Sequence, residues 1–134
     1  MAVSAPAGTP LFTLRDAVSA EGKFIRQSGC PSKYGHVFLR IEPKPEDAGL
    51  RLEWLVPEDV IPKDFLSGSF DGLATAAERT ELAGGGRIAG VRMVITGGSW
   101  HETDSNDMAF HVAAAIAFQQ AVENAALVPL RVTT

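Results

Sequence analysis

GSWHETDSNDMAFHVAAAIAFQQA, Gly98 to Ala121, joins a polar turn to the clearest helical segment in the chain, and its reading decides the fold class. Asp104 or Ser105 is placed to accept a hydrogen bond from a free amide of the first turn, and Asp107 sets negative charge near the positive helix end. Met108, Val112, Ala115 and Ile116 then make an apolar stripe, while Ala113, Ala114 and Ala117 permit close packing. Such a helix needs an apolar partner, and the flanking segments supply strands.

Upstream, Gly90 to Ile95 reads as an apolar strand, with Gly97 and Gly98 as the turn after it. An earlier helix starts at Ile61, with Pro62 in its first turn and Phe65, Leu66, Phe70, Leu73, Ala74 and Ala77 on one face. Gly68 and Gly72 inside it weaken it by about 1 kcal/mol each relative to alanine, and the run Gly84 to Gly86 ends it. Glu21 to Gln27, His36 to Glu42 and Leu50 to Val56 read as strands. In the last two, the spacing of two puts Val37, Leu39 and Ile41, and then Leu50, Leu52 and Trp54, on one face. EPKPEDAG, Glu42 to Gly49, reads as the hairpin connection between those two. Leu11 to Val18 reads as an edge strand and Leu127 to Val132 as a returning last strand. Residues 1–10 form a flexible lead-in and 11–134 a single domain, because no repeat, heptad or linker divides them.

With 134 residues, 46% apolar and 21% charged, the chain is long and hydrophobic enough to build its own core. A net charge of −4 excludes a domain coated in positive charge, so any RNA contact must be local. Between Gly22 and Ile41 the charges are Lys23, Arg26, Lys33 and Arg40, with no acid. The lone Cys30 makes no internal disulfide and no thiolate zinc site by itself, which suits a reducing cytoplasm. No segment approaches a membrane span or a signal peptide, so a soluble cytoplasmic protein is expected.

Three segments, at the expected distances from one another, resemble domain IV of translation elongation factor G. They are EGKFIRQSG followed by YGHV (Glu21 to Val37), VIPKDF (Val60 to Phe65) and the opening segment. The resemblance runs from about Leu11 to Val132. It implies an α+β two-layer sandwich: a sheet of about four strands, two helices on one face, and an unusual left-handed βαβ crossover, which periodicity alone does not suggest. It further implies a non-catalytic module whose distal loops, Gln27 to His36 and Gly98 to Asp104, contact the ribosomal decoding region, tRNA or mRNA during translocation.

Carried onto this sequence, the tip residues are Ser28, Lys33, Tyr34, His36, Ser99, Trp100, His101 and Glu102. Lys33 suits a phosphate, Tyr34 and Trp100 suit stacking on a base or sugar, and His101 suits donation to a phosphate or ribose hydroxyl. Tyr34 and Trp100 equally suit packing at the loop base, His36 suits anchoring its loop to the strand, and His111 suits a structural role. The first loop departs from the pattern GGRGQYGH: Gly29 to His36 reads GCPSKYGH, without the arginine and with a proline that fixes φ and removes an amide. Glu58 and Asp59 stand where the pattern has glycines before the first helix.

No cofactor is implied. GGGRIAG, Gly84 to Gly90, lacks the lysine and hydroxyl of a phosphate-cradling loop, so the chain is not a GTPase. Cys30 beside His36 is the one pairing that suggests a thiol enzyme, and His101, Glu102 and Asp104 the one set that suggests a metal. Asp104, however, is already accounted for as a cap. The competing non-enzymatic reading is a domain IV-like fold repurposed to bind a protein partner, which the acidic balance and altered first loop favour. The start at Met1 reads slightly more as a freestanding domain than as an excised one.

Overall fold

The structure is a computed structural model that describes residues 8–26, 33–82 and 85–130. Period-two alternation gives the long strands of one sheet: β2 (Val18–Arg26), β3 (Lys33–Pro43), β4 (Leu50–Trp54) and β6 (Val91–Ser99), in the order β2-β3-β6-β4. Between β4 and β6 the chain passes through a 3-10 turn, Lys63–Phe65, helix α1 (Leu66–Arg79) and the short β5 (Arg87–Ile88). Helix α2 (Asp107–Glu123) follows β6. A second sheet, β5-β1-β7, combines β1 (Leu11–Leu14) and β7 (Leu127–Pro129) with β5. The Thr13 hydroxyl, which is buried, donates to the Gly90 carbonyl at 2.7 Å and ties this small sheet to the start of β6. The α+β class, the four-stranded sheet and the two helices are therefore as expected, while the separate three-stranded sheet is an addition. Among the described residues no helix is long and apolar enough to cross a membrane.

Several local expectations are corrected. Glu42 to Gly49 does not join a hairpin, because β6 lies between β3 and β4 and β4 pairs with it in parallel. The true hairpin is β2-β3. Strand β1 is shorter than Leu11 to Val18, and Val18 opens β2 instead. The first helix ends at Arg79, before the glycine run, with the Thr80 amide bonded to the Ala76 carbonyl. The cap of α2 is Asn106, whose side chain accepts from the Ala109 amide at 2.8 Å, rather than Asp104 or Ser105. The buried stripe of α2 is also different. Ala109, Phe110, Ala113, Ala114, Ala117, Phe118 and Ala121 are buried, whereas Met108 is 48% exposed.

Close approach of backbones explains that stripe. An ideal Cβ on Gly22 of β2 would lie 1.8 Å from the Ala113 carbonyl oxygen, and one on Gly35 of β3 would lie 2.4 Å from that of Ala109. Positions 109, 113 and 117 thus run along the sheet, one turn apart. On another side, a Cβ on Gly68 or Gly72 of α1 would meet the carbonyl of Asp107 at 2.6 Å or of His111 at 2.3 Å. The two helical glycines therefore create the seam between the helices rather than merely weakening α1. Alanine dominates α2 because two neighbours press on it.

Gly97 and Gly98 lie within β6, not in a turn after it. The β3-β6 register shifts between Phe38 and Leu39, opposite Gly97 and Ile95. Gly98 has φ +145° and a Cβ there would sit 1.9 Å from the His36 carbonyl oxygen, so only glycine keeps the strands paired past the bulge. That pairing sets Ser99 opposite His36.

At the other end of the sheet's open face, Arg40 donates to Glu42 at 2.8 Å, and Arg92 donates to Glu42 at 2.6 Å and to Glu53. Hydrogen bonds from Arg40 and then Arg92 hold the Glu42 carboxyl below its ordinary 4.5, and the Arg92 hydrogen bond does the same for Glu53. A carboxylate with a depressed folded pKa stabilises the fold above its unfolded value and loses that contribution as pH falls through the folded one. Thermal melts should therefore fall in Tm as pH drops from about 5 toward 3, and Arg92→Gln should flatten that dependence. An unchanged slope in the variant would show that these pairs do not contribute.

Candidate nucleic-acid interface

The tip of the domain is assembled where β2-β3 and the segment after β6 meet. Tyr34 is held by its backbone on that side: its amide donates to the Asp104 carbonyl at 3.0 Å, and its carbonyl accepts from the Ser105 hydroxyl at 2.9 Å. The same Ser105 hydroxyl accepts from the His101 amide at 2.9 Å, and the Ser105 amide donates to the His101 carbonyl at 3.1 Å. The residues expected to cap the helix instead tie the start of β3 to the segment after β6.

Side chains extend this link. The Tyr34 hydroxyl lies 2.6 Å from Ser99 Oγ, which lies 2.7 Å from His36 Nδ1, and His36 Nε2 bonds Glu21. A neutral His36 that donates from Nε2 to the carboxylate leaves Nδ1 as acceptor. Ser99 then donates to His36 and accepts from Tyr34, so every polar atom in the chain of contacts has a partner. His36 is only 9% exposed, which makes it an anchor within the sheet more than a contact surface.

Two aromatic groups sit outside that anchor. The His101 ring rests on Tyr34 with centroids 4.7 Å apart, and its Nδ1 is 3.7 Å from Asp104 Oδ2, while 56% of the side chain is exposed. Trp100, 36% exposed, lies 5.9 Å from Phe65, which stacks on buried Phe110 at 4.7 Å. Trp100 therefore packs at the loop base and also presents a face. Glu102 is exposed and Lys33 is half-buried. Ser28 and Cys30 lie outside the described residues, as does the first loop from Gln27 to Ser32. Among the described residues no group of three His, Cys, Asp or Glu is placed to hold a metal ion, so His101, Glu102 and Asp104 do not converge on one.

Glu21, Ser105 and Phe65 are the supporting residues that sequence reasoning does not assign to the site. A signal for Glu21 is close at hand: it is the acid immediately before the acid-free segment Gly22 to Ile41, and it shares the open sheet face with His36. His111 contacts Asp71 across the helix pair at 3.0 Å, as a structural role requires.

Residues 12–126 match the family model for elongation factor G, domain IV. This chain belongs to that family. Elongation factor G of Thermotoga neapolitana is 43% identical over 115 residues, covering 84% of this chain and 16% of the relative. Elongation factor G of Thermotoga petrophila is 44% identical over the same extent. A crystal structure of a Thermus thermophilus protein superposes with a TM-score of 0.82 at 32% identity, over 94% of this chain and 18% of that one. The chain thus spans about a sixth of the length of the curated relatives it matches. As a domain IV, it is a translation-factor domain module with the family's α+β fold.

Proposed function

We propose that this domain IV is a non-catalytic, cytoplasmic module whose tip contacts RNA of the ribosomal decoding region, tRNA or mRNA. The observation that carries this reading is the interlocked tip itself. Tyr34, Ser99 and Ser105 tie the start of β3 to the segment after β6, and His101 and part of Trp100 are left facing outward. A stacking surface with a donor beside it suits ribose and base better than a flat protein patch. The Ser99-His36-Glu21 order has the form of a hydrolytic relay. The Tyr34 hydroxyl caps Ser99 Oγ, however, so we read the relay as an anchor.

Binding to purified small ribosomal subunits at low salt tests the proposal. The wild-type domain should bind with an affinity that falls steeply as salt rises, and Lys33→Gln with His101→Ala should weaken it roughly tenfold or more. No detectable binding, or none of this sensitivity, would sink the translational reading for this chain. The competing reading is a protein-interaction module, favoured by Ile25 and Phe38, which are 42% and 43% exposed on the open sheet face. A stable protein partner or dimer without RNA affinity would support that reading instead.

A further inference from the structure

We propose that Arg26 and Lys33 together form a seat for a single RNA backbone phosphate at the end of the β2-β3 hairpin. This rests on the RNA-contact reading and deepens it by naming a residue pair and the group it takes. Arg26 and Lys33 are partners in the last register pair of the β2-β3 ladder. Directly opposed residues of an antiparallel pair have their Cβ atoms about 5 Å apart, so two like charges in this position repel unless an anion lies between them.

The face is set by the neighbouring pair. Gly35, paired with Phe24, lies against the Ala109 backbone, so by alternation Arg26 and Lys33 are on the side of the sheet that carries α2. Ala109 is in the first turn of α2, and the next pair outward therefore stands at the end of that helix. Among the acids Asp104, Glu102 and Asp107, the Asp104 backbone carbonyl accepts from the amide of Tyr34, the neighbour of Lys33. Asp104 has its carboxylate near His101 and the Thr103 hydroxyl, and no ion pair among the described residues joins any of the three to Arg26 or Lys33.

The rest of the sheet shows the contrast. Arg40, Arg51 and Arg92 each have a carboxylate partner at the other end, while among the described residues Arg26, Lys33 and Lys23 have none; of these three only Arg26 and Lys33 stand directly opposite another cation, Lys23 facing His36. In a chain of net charge −4 that is not a by-product of general basicity. The loop pattern GGRGQYGH also has its arginine at the position of Pro31 and an uncharged glutamine at that of Lys33, so this chain places its loop cation two residues later, where Arg26 faces it. A phosphodiester has two non-bridging oxygens. A planar guanidinium and a compact ammonium on opposite sides are suited to take one each.

The test is the salt dependence of binding to small ribosomal subunits for the wild-type domain, Arg26→Gln, Lys33→Gln and the double variant. One shared phosphate predicts that the double variant loses about one unit from the slope of log K against log salt, with each single change costing nearly as much affinity as both, roughly tenfold. Each single variant should also melt at or slightly above the wild-type temperature, because a like-charge repulsion is removed. A slope change of about two, additive between the singles, would mean two separate phosphates and overturn the shared seat. Wild-type binding that Arg26→Gln leaves untouched would overturn it too, while leaving the RNA reading in place. Absence of wild-type binding would instead remove the RNA reading and this proposal with it.

Discussion

Gly22→Ala is expected to destabilise the domain by about 3 kcal/mol, at the upper end of what one extra methyl costs in a close-packed interior. The size follows from what the methyl meets. It would lie 1.8 Å from the Ala113 carbonyl oxygen and 2.7 Å from the Ala117 amide nitrogen, and both are backbone atoms of a continuous helix. No side chain can rotate out of the way, so α2 must move off the sheet. That movement would disturb the second contact of the seam at Gly35 and the contact with α1 at Gly68 and Gly72. Gly49→Ala is the control, since its nearest atom is a side-chain oxygen of Asp47 at 3.4 Å, and a change within about 0.5 kcal/mol is expected there. The measurement is a pair of denaturant titrations. A loss below about 1 kcal/mol for Gly22→Ala would show that the seam has room and that close backbone packing does not explain the alanine content of α2.

The same seam links fold to function. Gly35 both admits α2 and precedes His36, while Tyr34, on its other side, is the residue clamped by Asp104 and Ser105. The chain from Ser99 to α2 is therefore fixed at both ends: by the Gly98 approach to His36 and by the docking of Ala109 on Gly35. The loop between them is short and cross-braced, which is how a small domain holds an exposed histidine in one place.

How much of this is legible in the sequence depends on how local the signal is. The strands around Val37, Leu39 and Ile41 are plain because one buried face imposes a period of two. The expected hairpin between β3 and β4 fails because turn formers such as Pro43 and Pro45 report only that the chain bends. Which strand then pairs with Leu50 is decided by distant β6. Glycine carries the deepest ambiguity. Gly97 and Gly98 read as a turn and Gly68 and Gly72 as helix weakeners, because a missing Cβ looks the same in sequence whether it serves flexibility or close approach. The apolar stripe on α2 is misplaced for a related reason: alanines at a tight seam carry little hydrophobicity, so Met108 outweighs Ala109. Asp104, Ser105 and Asn106 offer three capping side chains in a row, and residue chemistry alone does not choose among them. At the site, the resemblance names Tyr34, His36, Ser99 and His101. Their division into anchor and exposed surface needs burial and distances.

That division makes the two histidines experimentally separable. His36→Leu is expected to cost about 2 kcal/mol, because a nearly buried side chain with two hydrogen bonds is replaced by one with none. Ser99 Oγ loses its acceptor, Glu21 loses its partner, and the edge contact of the His36 ring with Phe38, at 4.9 Å, is replaced by a different shape. With Ser99 released, the Tyr34 hydroxyl loses a fixed partner too, so RNA binding should weaken together with stability. His101→Ala should behave in the opposite way. Its ring is mostly exposed and has only the Tyr34 ring and a long 3.7 Å approach to Asp104 against it, so the melting temperature should hold while RNA affinity falls. His36→Gln keeps one donor and one acceptor and should recover part of the lost stability. If His36→Leu melted like wild type, the Glu21-His36-Ser99-Tyr34 chain would not be what braces the tip. If His101→Ala lowered the melting temperature as far as His36→Leu does, His101 would belong to the scaffold, and the proposed RNA contact would rest on Trp100 and Lys33 instead.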